Sequence, residues 1–391
     1  MEEGPLRIMI VAGESSGDSH AAHLVGALRD RFPDTSFEFF GSAGRKMREV
    51  GVEPVVEAEK MAIMGGLEIA RELPMFIRAY RKLRAQAVRR RPDAVILVDF
   101  PDFNLRLASS LKKRGLKIIY YISPQLWAWK RGRLRTINRS VDRLLSILPF
   151  EEQFFRENGF DRVTYVGSPI ASDVKANLGR EEFFLKHFLD PRSPLVALLP
   201  GSRKVEMKYV APELVSAARL MAARNPSVQF VVPLAPSRSE KEFREAVRSS
   251  GAEGTALPGK LFFVAGETYE ALAASDAAAV TSGTATLEAA VLGTPMAVVY
   301  KVSRLNYRAI RPFVRIDVFG LVNLIAGKMV ARELIQGDLT PESLAEEIFR
   351  LLDEKTNRSA REELALVRER LGTGDASAKA ADEVMKTIRG S

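Results

Sequence analysis

The sequence predicts an α/β fold of two tandem Rossmann-like domains, each a parallel sheet with helices between its strands. Three observations predict it. Short, wholly apolar runs alternate with helical spacings, the pattern of βαβ units with right-handed crossovers. The pattern stops in a polar stretch at 168–193 and restarts at Leu195. The chain has 391 residues, 46% of them hydrophobic, too long for one ordinary core and apolar enough for two.

The elements follow in order. Leu6–Ala12 is apolar throughout, as a strand covered on both faces must be. A polar loop, Gly13–Asp18, leads into a helix from about His20 to Arg31. Further strands are expected at Phe37–Phe40, Ala94–Val98, Ile118–Ile122, Arg143–Ile147 and Thr164–Val166. In the second half, strand Leu195–Leu199 ends in the loop PGSRKVE, and a helix runs through Pro212–Arg224. Strands Val228–Pro233, Phe262–Val264, Ala277–Thr281 and Met296–Tyr300 follow, with helices at Tyr269–Ser275 and Ala285–Leu292. The boundaries read as a first domain over 1–168 and a linker over 169–192 that holds a short helix near Glu181–Leu189. A second domain covers 193–345, and C-terminal helices over 346–391 cross back to pack on the first. Open parallel sheets hold ligands beyond the carboxyl ends of their strands, so the loops after the strands, facing a cleft between the domains, are where chemistry is expected.

Composition narrows the chemistry. There is no cysteine, which excludes disulfides and thiolate metal sites, and His20, His23 and His187 are the only histidines, too few for a histidine metal centre. No apolar stretch approaches the ~20 residues that span a bilayer, and the N-terminus does not read as a signal peptide. The net charge of +9 is uneven: residues 74–139 hold 17 Lys and Arg against 3 Asp, a local +14 that leaves −5 for the remainder. An anionic partner follows, either nucleic acid or an acidic membrane surface.

Five segments stand where ligands are expected. In Gly13–Asp18, small residues before a helix start suit an anion, although Ser15, Ser16 and Asp18 also suit simple helix capping. In Val98–Asn104, Asp99 and Asp102 lie three apart at a strand's carboxyl end, where a general base or a plain turn fits equally, and spacing does not choose between the two carboxylates. Gly201, Ser202 and Arg203 offer backbone N–H groups, a hydroxyl and a guanidinium, a set that suits a diphosphate. Ser282, Gly283 and Thr284 open a helix whose Glu288, one turn on, is placed to accept from two ribose hydroxyls. Trp127 and Trp129, followed by Lys130, Arg131, Arg133 and Arg135, suit a membrane interface or core packing. No DxD pattern occurs, so Arg203 and the helix dipoles would neutralise a departing diphosphate without metal.

Taken in order, VAGESSGD (11–18), VDFPDFN (98–104), YYISPQLWAWKRGR (120–133), LPFE (148–151), LLPGSRKVE (198–206), SGTATLE (282–288) and VNLIAGKMVARELIQ (322–336) resemble the lipid-A-disaccharide synthase family across nearly the whole chain. The resemblance implies the two-domain GT-B fold and an inverting glycosyl transfer, from UDP-2,3-diacylglucosamine to the 6-hydroxyl of 2,3-diacylglucosamine 1-phosphate, in lipid A biosynthesis. It implies Asp99 as base, Arg203 at the diphosphate, Glu288 on the ribose, Asn323 beside the nucleotide, and Glu14, Ser15 and Ser16 on the acceptor side. Neither cofactor, metal nor nucleic acid is expected. The protein would be cytoplasmic, peripheral on anionic lipids of the inner membrane, and a homodimer is allowed.

The lipid substrates bear on Pro74–Arg91, read as a helix starting near Pro74 with Phe76, Tyr80, Leu83 and Ala87 on one face and seven cations beside it. Phe76, Arg78, Arg81 and Lys82 are the candidate membrane contacts, with the apolar stretch 61–67 as a lip beside the cleft. A core-facing helix with a solvated basic back fits the same pattern. Two other classes remain: a UDP-sugar epimerase on the same fold, and a non-enzymatic membrane or nucleic-acid binder. Release of UDP only on addition of acceptor separates all three.

Overall fold

Seven strands form in the first half: β1 (Leu6–Ala12), β2 (Phe37–Ala43), β3 (Glu53–Glu57), β4 (Ala94–Val98), β5 (Ile118–Tyr121), β6 (Arg143–Ser146) and β7 (Val163–Tyr165). The structure is a computed structural model that describes residues 4–60, 69–127, 131–251, 257–303, 305, 307–308, 318–372 and 374–390. The seven strands pair in parallel in the order β3-β2-β1-β4-β5-β6-β7. Alternate residues feed separate cores. Met9, Val11, Val95 and Leu97 enter one layer, and Ile8, Ile10, Ile96 and Val98 enter the other. Burial on both faces is why these strands read as unbroken apolar runs.

The second sheet contains β8 (Leu195–Leu199), β9 (Gln229–Leu234), β10 (Leu261–Ala265), β11 (Ala277–Thr281), β12 (Met296–Tyr300) and β13 (Glu333–Ile335). Its parallel order is β10-β9-β8-β11-β12-β13. This is the Rossmann order, and the first sheet repeats it with one strand added. In both sheets the order reverses beside the first strand of the set, between β1 and β4 and between β8 and β11. Loops part there and leave a crevice.

Contacts divide the chain into Met1–Pro169 with Thr373–Ser391, and Ile170–Gly372. Two features of this division differ from the sequence reading. The stretch 169–192 is more than a linker: its helix Arg180–Lys186 buries Phe183 and Phe184, and Arg180 pairs with Asp276 at 3.0 Å within the second unit. The C-terminal helices also part company. Pro341–Leu352 buries Leu344, Ile348 and Leu351 in the second core. Glu354–Arg370 stays with it, as Arg370 donates to the carbonyls of Ile325 (2.7 Å) and Ala326 (2.6 Å). Only Ala376–Arg389 joins the first unit. There it buries Ala380, Ala381, Val384 and Met385, with Arg31–Asp382 (2.7 Å) and Arg143–Glu383 (2.5 Å) fastening its polar side. Apolar burial of that extent stabilises by on the order of 5 kcal/mol.

The basic segment forms the helix Ile69–Arg90, which begins five residues before Pro74, so this proline lies inside the helix rather than at its start. Ala79, Leu83 and Ala87 are buried in the first core, with Phe76 and Tyr80 packed against it.

Candidate active site

Register brings the first set of loops together. Ala12 pairs with Val98, so the chain leaves β1 and β4 side by side at the crevice, placing Gly13–Glu14 next to Asp99–Phe100. Asp99 and Phe100 both have left-handed backbones, with φ of 47° and 48°. Such a pair is strained by about 1–3 kcal/mol per residue and persists only where its surroundings over-determine it. Here they do. The Asp99 N–H donates to the Tyr121 carbonyl (3.0 Å), while its own carbonyl accepts from Tyr120 Oη (2.6 Å) and Asn104 Nδ2 (2.8 Å). The Phe100 ring lies against Gly13, where any Cβ would strike it.

The result is a poised carboxyl group. Burial raises Asp99 to about 6, the negative charge of Glu14 adds to the rise, and the Phe100 N–H opposes it. Asp102 differs: it is exposed and ion-paired with Arg133. The fold therefore distinguishes two carboxylates that spacing left equal, one held largely buried on a strained turn and the other exposed in an ion pair.

Glu14 and Ser16 are exposed beside this turn, whereas the side chain of Ser15 lies outside the described residues. The first helix spans Ser15–Arg31, starting five residues earlier than expected, and no side chain caps it. Asp18 turns away to accept from the N–H groups of Gly44 (2.7 Å), Lys46 (2.9 Å) and Met47 (3.4 Å), and so holds the start of the next helix. Asp18 therefore serves the next helix rather than capping its own.

In the second unit Leu199 pairs with Val280, which again sets two loops side by side. Gly201 has φ 95°, and a Cβ there would come within 2.6 Å of the Glu206 carboxylate. Glu206, buried one turn into the helix Lys204–Arg224, accepts from the N–H groups of Ser202 and Arg203, each at 3.2 Å. Those N–H groups, expected to meet a diphosphate, are thus occupied. What remains is the guanidinium of Arg203, whose side chain is 81% exposed and touches Glu206 at 3.2 Å. An ion pair that exposed holds little energy and leaves the side chain able to turn to a ligand.

Across the crevice, Ser282 Oγ donates to the Phe319 carbonyl at 3.0 Å, so its hydroxyl too is engaged. Gly283 faces open space, and Thr284 is exposed. Glu288 lies in the helix Ala285–Val291, and burial raises its carboxyl above the usual carboxylate range. Asn323 is 1% exposed, and its amide is consumed internally. Nδ2 donates to the Ala331 carbonyl (2.7 Å) and Glu333 (2.9 Å), while Oδ1 accepts from Val330 and Ala331 (both 2.9 Å). Asn323 staples the turn before β13 and offers a ligand no free amide group, so a place beside the nucleotide would be one of support rather than of direct amide contact. Among the described residues no cluster of His, Asp or Glu gathers as metal ligands.

Comparison with known proteins supplies the family. The model of lipid-A-disaccharide synthetase matches residues 8–388. A lipid-A-disaccharide synthase of Myxococcus xanthus (strain DK1622) is 43% identical over 385 residues, covering 98% of both chains.

The chain belongs to the lipid-A-disaccharide synthetase family.

Solved structures agree on the fold without choosing a chemistry. A UDP-GlcNAc 2-epimerase from Neisseria meningitidis bound to UDP-GlcNAc superposes with TM-score 0.64 at 13% identity, over 97% of this chain and 100% of that one. The calicheamicin glycosyltransferase gives 0.60 at 16% identity, over 99% of each chain. Family membership makes this GT-B fold that of a glycosyltransferase.

Two aromatic residues singled out for a membrane role in this lipid-A-disaccharide synthetase family member pack inward. Phe76, expected as a membrane contact, is partly buried, with its ring packed on Phe100 (6.2 Å) and Phe103 (6.5 Å) behind the Asp99 turn, as the core-facing alternative has it. Trp127 is a core residue, edge-on to Phe150 at 5.2 Å, with Nε1 donating to Glu151 at 3.2 Å. Trp129, Lys130 and the stretch 61–67 lie outside the described residues. Three supporting residues went unread: Asn104, Glu206 and Glu333. Glu333 accepts from the N–H groups of Phe319 and Gly320, both at 2.8 Å, and so links the Ser282 loop to Asn323. Glu206 alone had a local signal, an acidic residue three places after a helix N-cap.

Proposed function

We propose that this glycosyltransferase moves 2,3-diacylglucosamine from UDP to the 6-hydroxyl of 2,3-diacylglucosamine 1-phosphate, with inversion and without a metal. The observation that carries the reading is Asp99: a buried carboxyl group at about 6, held on a strained turn at a topological switch point. Asp99 takes the proton of the acceptor 6-hydroxyl as O6 bonds to the donor C1. The C1–O bond to UDP breaks on the opposite face, and UDP carries away the bonding pair. Arg203 turns from Glu206 to the diphosphate and stabilises that charge, an interaction stronger in the transition state than in the bound donor. Glu288 accepts from the ribose, and Glu14 and Ser16 line the acceptor side with Ser15. Gly201 and Gly283 leave room for phosphate, and Ser282 and Asn323 serve by shaping the loops.

The acceptor is a lipid, and we place the contact with an anionic membrane on the solvent side of the helix Ile69–Arg90. Arg78, Arg81 and Lys82 are exposed there, as are Ile77 (42%) and Val88 (44%). No helix among the described residues is long and apolar enough to cross a membrane. A peripheral position on the cytoplasmic face of the inner membrane, and a homodimer, belong to the same proposal. The test is UDP release in EDTA: it should require both lipid substrates. Turnover of the donor without acceptor, or to an isomerised UDP-sugar, would overturn the reading.

A further inference from the structure

We propose that Glu151 is a positioning residue for the acceptor, fixing the loop Ser123–Trp127 against the Asp99 turn. The inference rests on the transferase reading for its consequence, but on separate residues for its evidence. Glu151 is 1% exposed at the start of the helix Pro149–Glu157, after β6. Its Oε1 accepts from Trp127 Nε1 at 3.2 Å, and Trp127 is itself 8% exposed. Glu151 Oε2 and Ser123 Oγ are also buried, and neither makes a hydrogen bond among the described residues. Buried polar groups are nearly always paired, so a carboxyl group, an indole N–H and a hydroxyl gathered under one loop demand a reason.

Topology supplies it. β5 lies between β4 and β6, so the segment leaving β5 runs between the Asp99 turn and the Glu151 helix. It is fastened on both sides. Toward β4, the fastening is at its two ends: within β5, Tyr120 Oη and the Tyr121 carbonyl hold the Asp99 backbone, and beyond the loop Arg133 pairs with Asp102. Toward β6, the Ile122 N–H donates to the Leu145 carbonyl (3.0 Å), and Trp127 is anchored on Glu151. Glu151 is the buried end of that second fastening. Burial raises its carboxyl to about 7, opposed by the Trp127 N–H, which favours the charged form. The role requires only an acceptor for the indole, which the carboxyl supplies in either protonation state.

The experiment compares Glu151→Gln with Glu151→Leu, reading acceptor KM, kcat and UDP affinity together. Gln keeps an oxygen for the indole and should stay within about threefold of the parent. Leu strands the buried N–H and should raise acceptor KM by about tenfold or more, with UDP affinity unchanged. Trp127→Phe should match it, and the double variant should be no worse than either single one. Additive losses, or Gln as damaging as Leu, would overturn the proposal. The indole ¹H–¹⁵N resonance of Trp127, assigned by its loss in Trp127→Phe, gives a check free of activity. It should shift in Glu151→Gln, and an unchanged resonance would refute the contact. Should the parent transfer no sugar at all, the transferase reading fails, while the resonance still decides whether Glu151 holds Trp127.

Discussion

Replacing Asp99 with Asn separates catalysis from stability, because the two respond in opposite directions. The amide matches the carboxylate in shape, and Asn tolerates the left-handed backbone at φ 47° as well as Asp does, so no new strain enters. The folded protein holds the Asp99 proton up to about 6, whereas the ordinary value is 3.8. The folded state therefore binds more protons between these values, and stability falls as pH rises from 3.8 to about 6. At ~1.36 kcal/mol per pH unit, the charged carboxylate costs the fold up to about 3 kcal/mol above that window, and about 1–2 after allowing for its partial contact with water. Asp99→Asn should remove that cost: equal to the parent in urea unfolding near pH 3.5, more stable at pH 8. Turnover should drop by ~10²–10⁴-fold, the usual effect of losing a general base. In the parent, kcat/KM should climb with pH to a plateau through a midpoint of about 6. A variant that keeps its rate, or is less stable than the parent at pH 8, would refute the assignment of Asp99 and of its environment.

Three further outcomes are expected. Arg203→Ala should weaken UDP binding and slow turnover, with little recovery in Arg203→Lys because the planar fork is lost; a steady-state rate unchanged in either variant removes it from the mechanism. Asn323→Ala should lower unfolding stability by roughly 2–4 kcal/mol, as it unpairs buried backbone groups, and should affect UDP affinity only through that loss; a large drop in UDP affinity at unchanged stability would put the amide on the nucleotide after all. Charge reversal at Arg78, Arg81 and Lys82 should reduce sedimentation with anionic vesicles at low salt and slow turnover of membrane-embedded acceptor while sparing detergent-dispersed acceptor, since each cation near such a surface is worth about 1 kcal/mol; equal binding to neutral vesicles would place the contact elsewhere.

The parallel strands of both sheets were legible because burial on two faces writes them as apolar runs. The strands missed, β3 (EPVVE) and β13 (ELI), each lie at one edge of a sheet and are short and charged, where one side needs no apolar partner; the opposite edges, β7 and β10, were legible. Periodicity gave the face of the helix Ile69–Arg90 correctly but not what it faces, and the aromatic cluster around Phe100 claims Phe76 for the core. The positions of Asp99 and Arg203 at strand ends were legible from motif and spacing. Spacing alone did not choose between Asp99 and Asp102, and only the family resemblance did; the burial of one and the pairing of the other with Arg133, 31 residues away, leave no local pattern. The roles of Asn323 and Glu333 were hidden for the same reason: hydrogen bonds inside a fold leave no local pattern.

The most direct test is the product itself. The purified protein, given UDP-2,3-diacylglucosamine and 2,3-diacylglucosamine 1-phosphate in EDTA, should release one UDP for each disaccharide 1-phosphate formed. Mass spectrometry should find the disaccharide, and NMR should show a β-1′,6 linkage, inverted from the α-linked donor. Asp99→Asn should form both products ~10²–10⁴-fold more slowly. An α-linked disaccharide, a strict need for added metal, or UDP released without disaccharide would contradict a direct displacement driven by Asp99.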